Sequence, residues 1–311
     1  MFCRSEEHDE SILIRVYGKN SETLIDRNQE LVVSVAAAAC FHDALFLTFS
    51  FFKNLHTLNQ VGKCPKVYGR FKNGIAYGFI PGTPFSVDDM SDQVLSSKLA
   101  ATLAEWHLVQ IQGEKKPQLF STLKKWIATI PESYADPEVD QKFRASFSLA
   151  EILAEFRFLQ TELARLNSPV VFSHNDLLSG NIIYDRESGQ ISLIDYEYAC
   201  YNYRGFDLGN HFCEFAGFDG DYSKYPGKEA QLHWLGNYLR ASKGGVEVGD
   251  DELEEFYLEV NKFSLAAHFF WGVWALVQAK ISDIDFDYME YAAIRLREYH
   301  SQKAKFFPEA A

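Results

Sequence analysis

The sequence predicts an α+β chain of two lobes, a small β-rich lobe followed by a larger and mostly helical one. Apolar residues alternate with other residues in short runs before residue 80, whereas later they recur at three-and-four spacing over long runs. The chain has 311 residues, of which 47% are apolar and 15% aromatic. At about 150 residues per domain this length allows two lobes, and the large side chains can line a cleft between them.

Two hairpins are predicted in the small lobe. Ser11 to Tyr17 alternates between two faces, and Thr23 to Ile25 is its expected partner strand. A second hairpin joins Lys66–Tyr68 to Ile75–Ile80 through a turn-like Lys-Asn-Gly sequence. Pro81 to Pro84 then breaks the strand pattern, so the small lobe is predicted to end there.

The second lobe, residues 81–311, is predicted to be mostly helical. Four runs have helical periodicity and few breakers: Val94–Ile111, Ala145–Leu166, Glu229–Ala241 and Glu252–Ala279. Three short apolar runs among them are predicted strands: Val170–Phe172, Ile182–Tyr184 and Ile191–Ile194.

Charge and cysteine content exclude several classes of function. Lys and Arg number 30 against 43 Asp and Glu, and the net charge of −13 repels phosphate backbones, so no nucleic-acid partner is expected. The five cysteines are widely spaced and form no CxxC pair, which argues against a disulfide framework or a zinc site. The first ten residues lack the apolar stretch of a secretion signal. A cytoplasmic location is therefore expected.

One apolar segment, Leu31 to Phe52, is long enough at about 1.5 Å per residue to cross a bilayer. His42 and Asp43 lie at its middle, however, where an Asp costs about 2.5–3.5 kcal/mol on insertion scales. A buried helix, or an insertion packed on the small lobe, is the favoured interpretation, and membrane association is not expected.

A group of polar residues follows the predicted strands of the second lobe. Asp176 comes shortly after the predicted strand Val170–Phe172, and Asn181 follows five residues later. Asp195 lies at the end of the predicted strand Ile191–Ile194. Two carboxylates and an amide at neighbouring strand ends can hold Mg²⁺ together with substrate phosphates. Phosphoryl transfer also needs a carboxylate to accept the proton of the attacking hydroxyl. The pattern predicts a phosphotransferase.

The order His-x-Asp-x-x-x-x-Asn and then Ile-Asp resembles the catalytic loop and metal-binding Asp of the protein-kinase-like fold. The longer runs Phe172 to Tyr184 and Ile194 to Gly217 resemble the choline/ethanolamine kinase family, and ethanolamine kinases in particular. Trp271 to Ile281 and Phe286 to Tyr291 extend the similarity. The resemblance implies a protein-kinase-like two-lobe fold in which the first lobe binds the nucleotide and the second carries catalysis and amine binding.

The resemblance also implies residue roles and cofactors, namely ATP and Mg²⁺. Asp176 would be the catalytic base that deprotonates the hydroxyl of an amino alcohol, and Asn181 and Asp195 would hold Mg²⁺ against the nucleotide phosphates. Arg15 on the first strand would contact phosphate, with Glu30 as its acidic partner.

Seven further residues would surround the amine end of the substrate: Glu197, Tyr198, Glu214, Trp271, Trp274, Phe286 and Tyr291. Aromatic rings with carboxylates suit an ammonium head, because each ring face contributes about 0.5–2 kcal/mol to binding a desolvated cation. By itself a Trp-x-x-Trp pair on a helix is more often core than pocket. His174 is expected to brace the loop, and Asp207 to anchor its backbone from a buried position.

The predicted reaction is the ATP-dependent phosphorylation of ethanolamine, the first step of phosphatidylethanolamine synthesis. Choline is the alternative substrate, and an impaired variant acting as a regulatory or oligomer partner is the second alternative; a homodimer is left open. The chain departs from the family pattern in two places. No phosphate-covering hairpin is expected before Ile12, so residues 1–80 are predicted to form a shortened lobe, and an apolar insertion is expected near residues 31–53.

Overall fold

The computed structural model describes residues 2–4, 11–16, 57–71 and 74–310 of the protein. The small lobe contains an antiparallel sheet of four strands in the order β1-β2-β4-β3. These strands are β1 (Phe2–Arg4), β2 (Ser11–Val16), β3 (Val67–Phe71) and β4 (Gly74–Gly78).

The predicted strand after Ser11 and the later hairpin are both confirmed. One short strand, β1, precedes Ile12 and pairs antiparallel with the first half of β2. Three residues of mixed polarity show no alternation, so this strand left no signal in the sequence. The expectation that a phosphate-covering hairpin is missing before Ile12 stays a prediction. The predicted partner strand Thr23–Ile25 and the apolar segment Leu31–Phe52 lie outside the described residues.

The described part of the second lobe contains nine α-helices. They are α1 (Val87–Ser91), α2 (Gln93–His107), α3 (Leu119–Ile127), α4 (Pro137–Ser146), α5 (Leu149–Ala164), α6 (Arg204–Cys213), α7 (Lys228–Ser242), α8 (Asp250–Ile281) and α9 (Tyr288–Phe306). The four predicted helices are confirmed as α2, α5, α7 and α8. The predicted helix from Ala145 to Leu166 starts late, at a Ser148 cap that accepts a hydrogen bond from the Glu151 N–H.

The other helices escaped prediction for local reasons. Helix α4 has few apolar residues, although Asp136 followed by Pro137 is a typical helix start. Helix α6 contains Gly205 and Gly209, which weaken a helical pattern in sequence. Both glycines are instead required by packing.

The short strands of the second lobe form two small sheets. Strand β6 (Val170–Ser173) pairs with β9 (Cys200–Tyr203), and β7 (Ile182–Tyr184) lies between β5 (Thr83–Pro84) and β8 (Ile191–Leu193). The three predicted strands are confirmed, but the break predicted at Pro81 to Pro84 includes the two-residue strand β5. The loops that leave β6 and β8 carry the predicted catalytic residues.

Helix α8 is the central support of the second lobe. It runs for 32 residues, is buried along much of its length and packs on both α6 and α9. At Gly209 a Cβ atom would lie only 2.7 Å from the Ser264 nitrogen and 2.8 Å from the Val260 oxygen of α8. The absence of a side chain lets α6 approach α8 this closely.

Within the described ranges, no helix combines the length and apolar character needed to span a membrane.

The close contact between α6 and α8 gives a stability prediction. Gly209→Ala should destabilise the protein by about 1–3 kcal/mol, because backbone atoms of α8 cannot rotate away from the added methyl group. The matched control is Gly236→Ala in α7, where a Cβ would meet only the Leu253 side chain at 3.9 Å. That change should be neutral or stabilising by up to about 1 kcal/mol, since Ala favours helix over Gly. Urea unfolding measures both, and equal losses in the two variants would contradict the packing argument.

Candidate active site

Three side chains on one face of α6 hold the loop that leaves β6. The carboxylate of Asp207 accepts hydrogen bonds from the backbone N–H groups of His174, at 2.7 Å, and Asn175, at 2.6 Å. Asn210 donates to the carbonyl of Asn175 at 3.2 Å, and His211 Nδ1 donates to the carbonyl of Leu177 at 2.9 Å. Their spacing of three and four residues places all three on the same side of the helix. The predicted anchoring role of Asp207 is confirmed.

Asp207 is fully buried, and His107 is its neighbour on the far side. His107 Nε2 lies 2.8 Å from the Asp207 carboxylate, and its Nδ1 lies 2.7 Å from the Tyr238 hydroxyl. Burial alone raises the pKa of Asp207, but the hydrogen bond and charge of His107, with the His174 N–H, outweigh it and lower the pKa. The carboxylate is therefore ionised, which strengthens its hydrogen bonds to the loop.

Asn175 lies in the left-handed region, with φ of 65°. Its side chain stabilises this conformation by donating to the Tyr198 carbonyl at 2.8 Å and accepting from Asn202 at 2.9 Å. Non-glycine residues adopt this conformation at a cost of order 1–3 kcal/mol when the surroundings enforce it. The next residue, Asp176, is thereby presented to the site.

Asn181 connects the two loops that carry carboxylates. Its Nδ2 donates to the Asp176 carbonyl at 2.8 Å and to the Asp176 carboxylate at 3.1 Å. The backbone carbonyl of Asn181 accepts a hydrogen bond of 3.0 Å from the N–H of Ile194, one residue before Asp195. Asp195 itself has φ of 63°. The structure therefore brings the three predicted catalytic residues to one place.

The charges of the site are concentrated around Asp176. Burial raises the pKa of Asp176 well above its ordinary value, and the negative charges of Glu214, Asp195 and Glu197 add to this in that order. The hydrogen bond from Asn181 acts in the opposite direction. Four carboxylates within electrostatic reach of one another form a site that favours cations.

The donor set fits a magnesium ion bound partly by its substrate. Because Asn181 uses its Nδ2 toward Asp176, its amide oxygen is the atom of that group that can meet a cation. No group of three or more His, Cys, Asp or Glu gathers for a metal in the described part of the chain. Mg²⁺ is commonly held by one or two carboxylates with substrate phosphates and water, so Asp195 and Asn181 are an adequate protein contribution.

His174 is fully buried, and its Nε2 donates to the Ile194 carbonyl at 2.9 Å. Burial lowers the pKa of this imidazole, so it is neutral at ordinary pH. The ring therefore joins the loop of Asp176 to the strand end of Asp195. The prediction that His174 braces the loop is confirmed.

The predicted aromatic residues form a continuous group, of which Tyr198 and Tyr291 lie within electrostatic reach of Asp176. The ring centroid of Trp271 lies 5.3 Å from that of Tyr198 and 5.5 Å from that of Trp274. The ring centroids of Trp274 and Tyr291 are 6.4 Å apart. Phe286, which is 40% exposed, lies 5.8 Å from Tyr291 at the outer end. Most of these rings meet edge to face, as aromatic side chains prefer.

The two tryptophans differ in what they contact. Trp271 is buried and donates through Nε1 to Asn210 at 2.7 Å, so it also supports the loop. Trp274 is only partly buried and donates to the Tyr198 hydroxyl at 2.9 Å. The structure therefore gives Trp271 a role in the core as well as a place in the aromatic group.

Glu214 follows α6 and is buried, with an exposed fraction of 8%. Its carboxylate accepts a hydrogen bond of 3.1 Å from Arg295 on α9, which also contacts Tyr291. Sequence reasoning missed Arg295. The one available signal is its position four residues after Tyr291, which places both on one helix face.

A cavity of about 450 Å³ lies between the four-stranded sheet and the small sheets of the second lobe. Its apolar walls come from both: Leu13, Val67, Ile75, Tyr77, Phe79, Ile80, Ile183 and Ile194. Asp195 and Glu197 form part of its lining. A cleft between the lobes was predicted, but its lining residues were not, because they belong to strands that are far apart in the chain.

Two residues are predicted to contact the nucleotide, and the structure does not describe the side chain of either. Arg15 belongs to β2, where its backbone pairs with Ile75. Its side chain and the whole of Glu30 lie outside the described residues. Both roles stay predictions.

Comparison with known proteins assigns the family. The choline/ethanolamine kinase family model matches residues 1–300, and the chain belongs to that family. It is 44% identical over 295 residues to a probable ethanolamine kinase A of Dictyostelium discoideum, covering 95% of this chain and 78% of that protein. It is 39% identical over 305 residues to a probable ethanolamine kinase of Nematostella vectensis, covering 96% and 81%.

A solved structure of a Plasmodium vivax ethanolamine kinase has the same fold, with a TM-score of 0.81 at 24% identity. The match covers 97% of this chain and 80% of that one. The family resemblance and the protein-kinase-like two-lobe fold predicted from the sequence are both confirmed.

The anchoring of the loop by α6 gives a second prediction. Asp207→Asn should destabilise the protein by about 1.5–3 kcal/mol or more, because a buried charged acceptor of several N–H groups is lost. It should also speed amide exchange across residues 172–178, since two of the protected N–H groups donate to this carboxylate. Hydrogen exchange with mass spectrometry measures the second effect. The exposed Asp88→Asn is the control, and unchanged exchange in the Asp207 variant would contradict the anchoring role.

Proposed function

We propose that the chain transfers the γ-phosphoryl group of ATP to the hydroxyl of ethanolamine, giving ADP and phosphoethanolamine. The observation that carries the proposal is that Asp176 lies within electrostatic reach both of Asp195 and Glu197, which line an apolar cavity, and of Tyr198 and Tyr291 in the aromatic group. Membership of the choline/ethanolamine kinase family and curated ethanolamine kinases at 39% and 44% identity support it. The product is the first intermediate of phosphatidylethanolamine synthesis by the nucleotide-activated route.

Asp176 is the proposed catalytic base. It orients the hydroxyl of the amino alcohol and accepts its proton as the phosphoryl group is transferred. The hydrogen bond from Asn181 Nδ2 fixes the Asp176 carboxylate, and the anchored backbone on either side limits its movement. Positioning is the main requirement here, because phosphoryl transfer demands in-line geometry.

Asn181 and Asp195 are the proposed ligands of Mg²⁺. The ion, when bound with ATP, would supply positive charge to the phosphate oxygens. The chain contributes the Asp195 carboxylate and the Asn181 amide oxygen. The hydrogen bond between the Asn181 carbonyl and the Ile194 N–H keeps these two residues in register.

The cavity between the lobes is the proposed site of the adenine ring. A flat apolar ring fits between Val67 and Ile75 on one side and Ile183 on the other. The phosphates would then extend toward Asp195 at the inner end. Residues 1–80 are accordingly the proposed nucleotide-binding lobe, with Arg15 and Glu30 contacting phosphate, and residues 81–311 the catalytic lobe.

The aromatic group is the proposed site of the ammonium head. Ring faces of Tyr198, Trp271, Trp274 and Tyr291, with Phe286 at the rim, attract the cation, and Glu197 and Glu214 supply negative charge. The carboxylates that raise the pKa of Asp176 are the same groups that would bind the proposed cationic ligands. Binding the ammonium and Mg²⁺ therefore relieves the repulsion among them.

The reaction is tested by ATP turnover with ethanolamine, with choline and with neither. Turnover should depend on ethanolamine and be slower with choline. Asp176→Asn and Asp195→Asn should each lower kcat by about 10²–10⁴-fold or more with a folded protein, since one removes the proton acceptor and the other a metal ligand. Asp88→Asn should keep full turnover. Wild-type turnover and wild-type Mg²⁺ dependence in the Asp195 variant would remove the kinase assignment.

The amine site is tested by separating the two Michaelis constants. Trp274→Ala should raise the KM for ethanolamine roughly tenfold, which corresponds to about 1–2 kcal/mol of cation–π attraction, and leave the KM for ATP nearly unchanged. Trp274→Phe keeps a ring face and should lose less. Trp274 is preferred to Trp271 because it is less buried. A parallel rise in both constants would contradict the assignment of the aromatic group to the amine.

A further inference from the structure

Arg295 is a buried cation that none of the roles above uses. It lies on α9 one turn after Tyr291, and its side chain is only 2% exposed. One guanidinium nitrogen, Nη1, donates to Glu214 Oε1 at 3.1 Å and to the Tyr291 hydroxyl at 3.4 Å. The other, Nη2, donates to the Ala267 carbonyl of α8 at 3.5 Å. The guanidinium thus joins three segments of the chain behind the aromatic group.

Burying this ion pair is not an efficient way to stabilise a fold. The desolvation of two charges largely cancels their attraction, and apolar residues of similar volume often serve as well or better. Both side chains that Arg295 holds, Glu214 and Tyr291, belong to the proposed amine site. The contacts of the Arg295–Glu214 ion pair therefore indicate a role in substrate binding rather than in the stability of the fold.

Among the ionisable groups described around Arg295, Glu214 carries the negative charge that compensates the guanidinium. His268 packs nearby, and burial together with the positive charge of Arg295 keeps the pKa of that imidazole well below its ordinary value, so it is neutral. Burial likewise raises the pKa of Cys213 and of Tyr222, which are neutral near Arg295. In the described residues, the salt bridge of Arg295 is the one with Glu214.

We propose that Arg295 is a positioning residue for the amine, which holds the Glu214 carboxylate and the Tyr291 ring at the angle that receives the ammonium. Because the hydrogen bond uses Oε1 of Glu214, the second oxygen, Oε2, is the one that would accept from the ammonium. The rigid fork of a guanidinium can serve acceptors on three segments at once, which a single ammonium group cannot do. This inference rests on the proposed function and adds a residue that does not touch the substrate.

The test compares two arginine-to-lysine substitutions at buried ion pairs. Arg295→Lys keeps the charge but loses the fork, so the KM for ethanolamine should rise about tenfold or more while the KM for ATP stays within about twofold. Arg204 is the matched control, since it forms a largely buried pair with Glu259 at 2.9 Å, joining α6 to α8. Arg204→Lys should leave both constants unchanged, whatever its effect on thermal stability.

A second variant decides the question if Arg295→Lys folds poorly. Arg295→Met with Glu214→Gln removes both charges, so no buried charge is left without a partner and the protein should fold with a near-normal Tm. Its KM for ethanolamine should exceed that of Glu214→Gln alone by several-fold, because the Tyr291 hydroxyl also loses its contact with Arg295. A normal ethanolamine KM in folded Arg295→Lys, or a double variant no worse than Glu214→Gln, would overturn the positioning role and leave the proposed function intact. Wild-type protein with no ethanolamine-dependent turnover would instead overturn the proposed function and this inference together.

Discussion

The site depends on one buried carboxylate, that of Asp207. It is ionised in the interior because His107 and two backbone N–H groups of the loop after β6 share its charge. A buried charge is costly without such partners, so the loop and the carboxylate stabilise each other. Helix α6 adds Asn210 and His211 on the same face and is itself fixed against α8 through Gly209. The backbone around Asp176 is therefore set by the core of the large lobe.

This anchoring explains how the site can hold several like charges. Asp176, Asp195, Glu197 and Glu214 repel one another, and the repulsion would push a mobile loop out toward water. A loop bound to α6 cannot relax in that way, so the repulsion is available to attract cations. Arg295 compensates the charge of Glu214. In the proposed function, Mg²⁺ and the ammonium compensate the charges of the other carboxylates. Trp271 connects the aromatic group to the anchored loop, since it donates to Asn210, which in turn donates to the Asn175 carbonyl.

Much of this arrangement could be predicted from the sequence, because its signals are local. The spacing of Asp176, Asn181 and Asp195 and the long helical runs do not depend on distant contacts. Helix α6 could not be predicted from periodicity, since Gly205 and Gly209 obscure it and are explained only by the approach of α8. A cleft between the lobes was predicted, but Arg295 and the residues that line the cavity were not. Arg295 is 81 residues from its partner Glu214, and the cavity walls come from separate lobes. The aromatic group was predicted through family resemblance, and its continuity required the structure.

The proposed function places the nucleotide and the amine on opposite sides of Asp176. The most direct test is a crystal structure of the chain with a non-hydrolysable ATP analogue, Mg²⁺ and ethanolamine. We expect adenine between Val67 and Ile183, Mg²⁺ bound by Asp195 and Asn181, and the ethanolamine hydroxyl within hydrogen-bond distance of Asp176. The ammonium should lie against Trp274 and Tyr291. An ammonium bound elsewhere, or a metal bound without Asp195, would contradict this placement.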